Sequence, residues 1–118
     1  MEKANIVSIW SGRFGSEDEL VDFVQDRYSE DGDLIPSTFM SAFGIAYIDY
    51  DFQEVLFEDG LTKEYLLQAS YAKSFIGKVF DKLPAENSLI LLYDFDYTGK
   101  KQKAENLRFI GSFGYVKE

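Results

Sequence analysis

Leu89-Ile90-Leu91-Leu92 runs without a polar interruption. Successive side chains of a strand point to opposite faces, so such a run has no side to turn toward water. It predicts a central strand over residues 88–93, buried on both faces. The rest of the chain must therefore supply neighbouring strands and elements to pack over them. With 118 residues the chain reads as one domain, 1–118, able to bury a single core. Hydrophobic residues make up 46%, while Gly and Pro number only 9 and 2, which excludes disordered and fibrous classes.

The remaining elements read off in order. Residues 5–10 form a first strand rich in β-branched and aromatic side chains. Ser11-Gly12-Arg13-Phe14-Gly15 is a turn. Ser16-Glu17-Asp18-Glu19 is a capping box opening a helix that runs to about Tyr28. Its buried stripe is Leu20, Phe23, Val24 and Tyr28, and Asp18, Asp22 and Asp26 lie on the opposite stripe. After an acidic loop at 29–33, Pro36 takes the first position of a short helix to Phe43, which Gly44 ends.

Residues 45–50 alternate and read as a strand. Thr62 caps a long helix over 63–83, with Tyr65, Ala69, Ala72, Ile76, Val79, Phe80 and Leu83 on its apolar face. Pro84 stops it. Residues 107–116 form the last strand, and Lys100, Lys101 and Lys103 belong to a solvated loop before it. The order β-α-α-β-α-β-β predicts an α+β fold in two layers, with helices packed on a mostly antiparallel sheet.

Charge is segregated. Residues 1–60 carry 14 Asp and Glu against 3 Lys and Arg, and residues 61–118 carry 7 against 9. The halves are formally −11 and +2, making the −9 of the whole chain. Such a field repels nucleic acid and attracts basic surfaces. With no His and no Cys, the chain lacks the usual general base near neutral pH, a thiolate nucleophile and a disulfide framework. No apolar stretch approaches a membrane span or a secretion signal. The expectation is a non-enzymatic, cytoplasmic binding protein with no cofactor and no direct contact with nucleic acid or membrane.

The sharpest candidate is Asp49-Tyr50-Asp51-Phe52-Gln53-Glu54. If extended, it puts Asp49 and Asp51 on one side and Tyr50 and Phe52 on the other. It fits a solvated sheet edge whose acids discourage pairing, a grip on Lys or Arg of another protein, or a site for a hard divalent cation. Tyr93-Asp94-Phe95-Asp96-Tyr97 repeats the alternation, with Asp94 and Asp96 on one side. A joint site requires the two segments to be neighbours. Trp10 reads as a core anchor. The glycines near it do not make a phosphate loop, since Gly-Lys-Ser/Thr is missing and three acids follow.

Three stretches carry a resemblance. They are Val7-Ser8-Ile9-Trp10-Ser11-Gly12-Arg13-Phe14 before an acidic helix, the Phe43-Gly44-Ile45 and Asp49–Glu54 region, and Leu89 to Asp94 with Phe109-Ile110-Gly111. Together they resemble the bacterial polymorphic-toxin immunity proteins of the family called immunity protein 22. The matching positions are Trp10, Gly12, Phe14, Asp49, Asp51 and Glu54. The resemblance implies a small cytoplasmic α+β protein that neutralises a toxin encoded beside it, often a nuclease. The charge argument agrees independently, because an acidic protein can plug a basic phosphate-binding cleft. The toxin-binding candidates are then Asp18, Asp22, Asp26, Asp49, Tyr50, Asp51, Glu54, Asp94 and Asp96. The competing expectation is a cation-binding protein or metal-dependent hydrolase using Asp49, Asp51 and Glu54.

Overall fold

The first strand, β1 (Glu2–Gly12), lies in the middle of a five-stranded sheet. It pairs antiparallel with both β5 (Ser88–Phe95) and β7 (Leu107–Gly114). The short β4 (Gln53–Phe57) forms one edge beside β5, and the two-residue β6 (Lys103–Ala104) forms the other beside β7. The computed structural model describes residues 1–83 and 86–117. Pro84, expected to stop a helix, lies outside the described residues.

Helices cover both faces of the sheet. Val7, Ile9, Leu89 and Leu91 pack with Leu66, Ala69, Phe75, Ile76 and Val79 on one face. Trp10, Ile90 and Leu92 pack with Leu20, Val24, Phe39, Met40 and Phe43 on the other. The two-layer expectation is therefore corrected to three. The physical reason is the apolar run itself. Leu89 and Leu91 face one way, Ile90 and Leu92 the other, and none exceeds 2% exposure. Burying each of these side chains contributes about 1.5–3 kcal/mol relative to leaving it in water. A single helical layer would forfeit half of that.

Local chemistry sets the helices on the second face. Helix α1 (Glu17–Val24) begins at Ser16, whose Oγ accepts the Glu19 N–H at 3.2 Å. Glu19 returns a bond to the Gly15 N–H at 2.9 Å, one residue before the cap. The helix ends at Val24 rather than near Tyr28, because Gln25 turns extended. Arg27 and Tyr28 instead form β2, paired with β3 (Leu34–Ile35). Tyr28 thus leaves the buried stripe and is 71% exposed. Helix α2 (Thr38–Phe43) is capped by Ser37, whose Oγ accepts the Met40 N–H, so Pro36 sits before the cap and not in the first turn. Gly44 ends this helix in a left-handed conformation, φ 66°, as expected.

Two expectations fail for the same reason, competition from side-chain hydrogen bonds. Residues 45–50 are not a strand. Ile45 and Ile48 are buried, and Tyr50–Phe52 is a turn of 3-10 helix whose Asp51 N–H is taken by Asp49 Oδ1. The strand comes later, as β4. The long helix over 63–83 is broken into α3 (Lys63–Leu66), a 3-10 turn (Ala72–Ser74) and α4 (Ile76–Phe80). At the break Ser70 gives its N–H to Glu54 and its carbonyl accepts the Tyr93 O–H. Tyr71 follows with φ 59°. The expected face survives the break, since Ala69, Ala72, Ile76 and Val79 are all buried.

Candidate protein-binding surface

The β4–β5 register brings the two acidic segments together. Gln53 pairs with Leu92 antiparallel, so residues 49–52, before β4, lie beside residues 93–96, at the end of β5. The condition for a joint site is met by the backbone. A cleft of about 590 Å³ opens there, lined by Met1, Glu2, Tyr47, Asp49, Phe52 and Asp94 among others.

The acids in it differ in what they do. Asp49 caps the 3-10 turn through Asp51 N–H at 3.1 Å. Glu54 is a strut: its Oε1 accepts the Ser70 N–H at 3.0 Å and the Tyr93 O–H at 2.8 Å, and its Oε2 accepts the Ser70 hydroxyl at 3.3 Å. Burial first, and then the Glu54 charge, raise the Tyr93 phenol well above its ordinary value. Asp94 accepts the Asn5 N–H, the Tyr115 O–H and the Lys117 ammonium at 2.9, 2.6 and 2.7 Å. Burial opposes its ionisation, but the bonds from Lys117, Tyr115 and Asn5 prevail and its pKa falls below the usual range. Asp96 faces Lys3 at 3.9 Å.

Asp51 differs from these. Its carboxylate takes no hydrogen bond or ion pair among the described residues, and the residue is exposed. Asp18 and Asp22 are likewise exposed on α1, whereas Asp26 is half-buried and takes the Ser37 N–H at 3.0 Å. Burial, then Asp26, push the Tyr50 phenol up to about 12.

The expected alternation over 93–97 does not hold. Asp94 has φ 53°, which turns the strand so that Tyr93 joins one core and Phe95 and Tyr97 the other. Across from it, β1 takes up the slack with an irregular stretch between Glu2 and Val7 in which Asn5 has φ 64°. Asp94 and Asp96 consequently have different partners and do not form one carboxylate pair.

No group of three or more Asp or Glu side chains among the described residues is arranged to hold a metal ion. Three of the acids of the two segments already have donors built into the fold: Asp49, Glu54 and Asp94. The cation-binding alternative is not favoured by this arrangement.

Around the acids stand exposed aromatic rings. Tyr47 is 73% exposed, Phe52 40% and Tyr50 39%. Tyr28 and Val21, from β2 and α1, join Tyr50 and Val55 along a second groove of about 450 Å³. Sequence reasoning missed Tyr47 and Tyr28, having placed each inside a regular element. The signal for Tyr28 was the turn-forming stretch Ser29 to Asp33 just after it, which closes a hairpin rather than a helix.

Trp10, Gly12 and Phe14 hold the fold. Trp10 is fully buried, with Phe39 edge-on at 4.8 Å between ring centroids. A Cβ on Gly12 would overlap the Asn106 carbonyl oxygen. The Phe14 N–H and carbonyl are both taken by the Asn87 side chain, at 3.0 and 2.8 Å.

Among the described residues no helix is long and apolar enough to cross a membrane. The sequence model of the family described as Immunity protein 22 matches residues 7–116. No curated protein and no solved structure matches the chain.

Proposed function

The chain belongs to the Immunity protein 22 family, and from that premise we propose that it binds and neutralises a cognate bacterial toxin in the cytoplasm, by occupation of a surface and without turnover. The contact is the acidic and aromatic corner where residues 49–52 lie beside residues 93–96. One observation carries this reading: Tyr47 and Phe52 stand exposed on the rim of a cleft that Asp49 and Asp94 also line. Aromatic rings next to carboxylates supply contact area at low entropic cost together with a grip on cationic side chains.

The excess of acid in residues 1–60 fits a toxin domain with a basic surface, as a nuclease needs for phosphates. Charge of this kind speeds association and makes it sensitive to salt. Asp18 and Asp22 extend the same field along α1.

The test is to mix the purified protein with the toxin domain encoded beside its gene and measure binding and toxin activity together. Asp51→Asn combined with Tyr47→Ala is expected to weaken binding about tenfold or more without altering the fold. Wild-type affinity is expected to drop about tenfold between roughly 0.05 and 0.5 M salt. A toxin that stays active in the presence of excess wild-type protein overturns the proposal.

A further inference from the structure

We infer that the partner is held by strand addition: an extended, cationic segment of the toxin pairs with the open edge of β4 as a sixth strand. The inference rests on the toxin-binding reading and specifies its geometry.

The edge is open at a definable place. Strands β4 and β5 pair with Glu54 opposite Leu91 and Leu56 opposite Leu89, and the Glu58 N–H goes to the Asn87 carbonyl. Antiparallel pairs alternate between those that exchange hydrogen bonds and those that do not. Counting back from Glu58, the backbone groups of Leu56 and Glu54 point toward β5. Those of Gln53, Val55 and Phe57 point outward. Two outward groups have takers, since the Gln53 N–H goes to the Tyr50 carbonyl and the Phe57 carbonyl accepts the Tyr65 O–H. The N–H and carbonyl of Val55, between them, have none among the described residues. This is the pair of groups a new strand takes first.

Beside the edge lies a receptor for a side chain. Val21, Val24, Tyr28, Tyr50 and Val55 line the second groove, and no β5 residue does, so the groove opens on the outer side of β4. A strand pairing at Val55 sends alternate side chains to this face. One apolar side chain of the incoming segment fills the groove between the rings.

Charge selects the occupant. Asp51 precedes β4 and Glu58 and Asp59 follow it, all exposed, and Asp18 and Asp22 flank Val21 on α1. A second copy of this chain is disfavoured. Antiparallel pairing centred on Val55 would set Asp51 opposite Asp59, like charges directly across a ladder. A segment with an apolar centre and Lys or Arg at both ends meets every one of these acids with opposite charge.

The experiment follows the Val55 amide. In the free protein its hydrogen exchange is expected to be fast, while that of Leu56, which faces β5, is slow. Adding the toxin domain encoded beside the gene is expected to slow the Val55 amide by about tenfold or more. Val55→Pro removes an N–H that no group of the fold uses, and proline is tolerated at such edge positions. It is expected to melt as a folded protein and to lose about a hundredfold in affinity, whereas Val55→Ala, which keeps the N–H, loses about tenfold or less. Where Val55→Pro does not fold, the exchange measurement on the wild type decides.

Toxin binding with an unchanged Val55 amide overturns strand addition and leaves neutralisation standing. Concentration-dependent protection of Val55 without toxin shows a second copy on the edge and overturns the assignment. Failure of the wild type to bind or inhibit the toxin overturns both.

Discussion

The Lys117 Nζ lies 2.7 Å from Asp94 Oδ2, which ties the end of the described chain to the point where β5 leaves the sheet. Asp94 holds that point in a left-handed conformation, φ 53°, that few residues accept. Asn accepts it as well as Asp does. Asp94→Asn is therefore expected to cost about 1–2 kcal/mol, through weakened bonds to Lys117 and the Asn5 N–H. Asp94→Ala, which adds backbone strain, is expected to cost about 2–4 kcal/mol. Urea unfolding of the two variants checks the order.

The same carboxylate predicts an acid limb. Its pKa in the folded protein is lowered from the ordinary 3.8. A group with a depressed folded pKa contributes stability above its unfolded pKa, and loses it as pH falls through the folded value. Stability is expected to decline below about pH 4 in the wild type, and the decline to be shallower in Asp94→Asn. Thermal melts across pH 2–6 measure it.

At high pH the sign reverses. The Tyr50 phenol is pushed up to about 12, and Tyr93 and Tyr115 are raised further. Raised groups contribute fully below their unfolded value near 10, and the contribution disappears as pH climbs through the folded one. Unfolding is expected to begin above about pH 10, with phenolate absorbance at 295 nm rising together with loss of near-ultraviolet dichroism.

Glu54 and Asp51 separate the fold from the proposed contact. Glu54→Ala removes the acceptor of the Ser70 N–H and hydroxyl and one of the two acceptors of the Tyr93 O–H, and is expected to cost about 2–3 kcal/mol of stability. Asp51→Asn, on an exposed carboxylate, is expected to stay within about 0.5 kcal/mol. Calorimetry on both variants, beside a toxin-binding assay, distinguishes the two roles.

Gly12 carries no side chain because the Asn106 carbonyl occupies the space. Gly12→Ala is expected to cost about 3 kcal/mol or more, since backbone on both sides must move. A melting temperature unchanged by this substitution contradicts the packing described.

Much of the scaffold was legible because its signals are local or periodic. Leu89 to Leu92 announced a doubly buried strand, Ser16 with Glu19 a helix start, and Gly44 a helix end. What eluded sequence reasoning depends on partners far along the chain. The Glu54 carboxylate reaches across 16 residues to Ser70, and this breaks a helix whose apolar spacing is otherwise regular. The Asp49 carboxylate converts an alternating stretch into a turn. For the candidate surface, the acids were visible as a pattern. Which of them are engaged by the fold, and which stand free beside Tyr47 and Phe52, follows only once β4 is registered against β5.

The position of β1 bears on synthesis. Both of its neighbours come from residues 88–114, so the strand made first waits for the strands made last. A nascent chain halted before β5 has helices but no sheet to seat them, and a fragment that keeps β4 has no ladder to hold it in line. Folding of the sheet is then all-or-none with respect to chain length. A stop codon as late as the loop before β7 leaves one long flank of β1 bare, and the product is marked for aggregation or proteolysis instead of partial function.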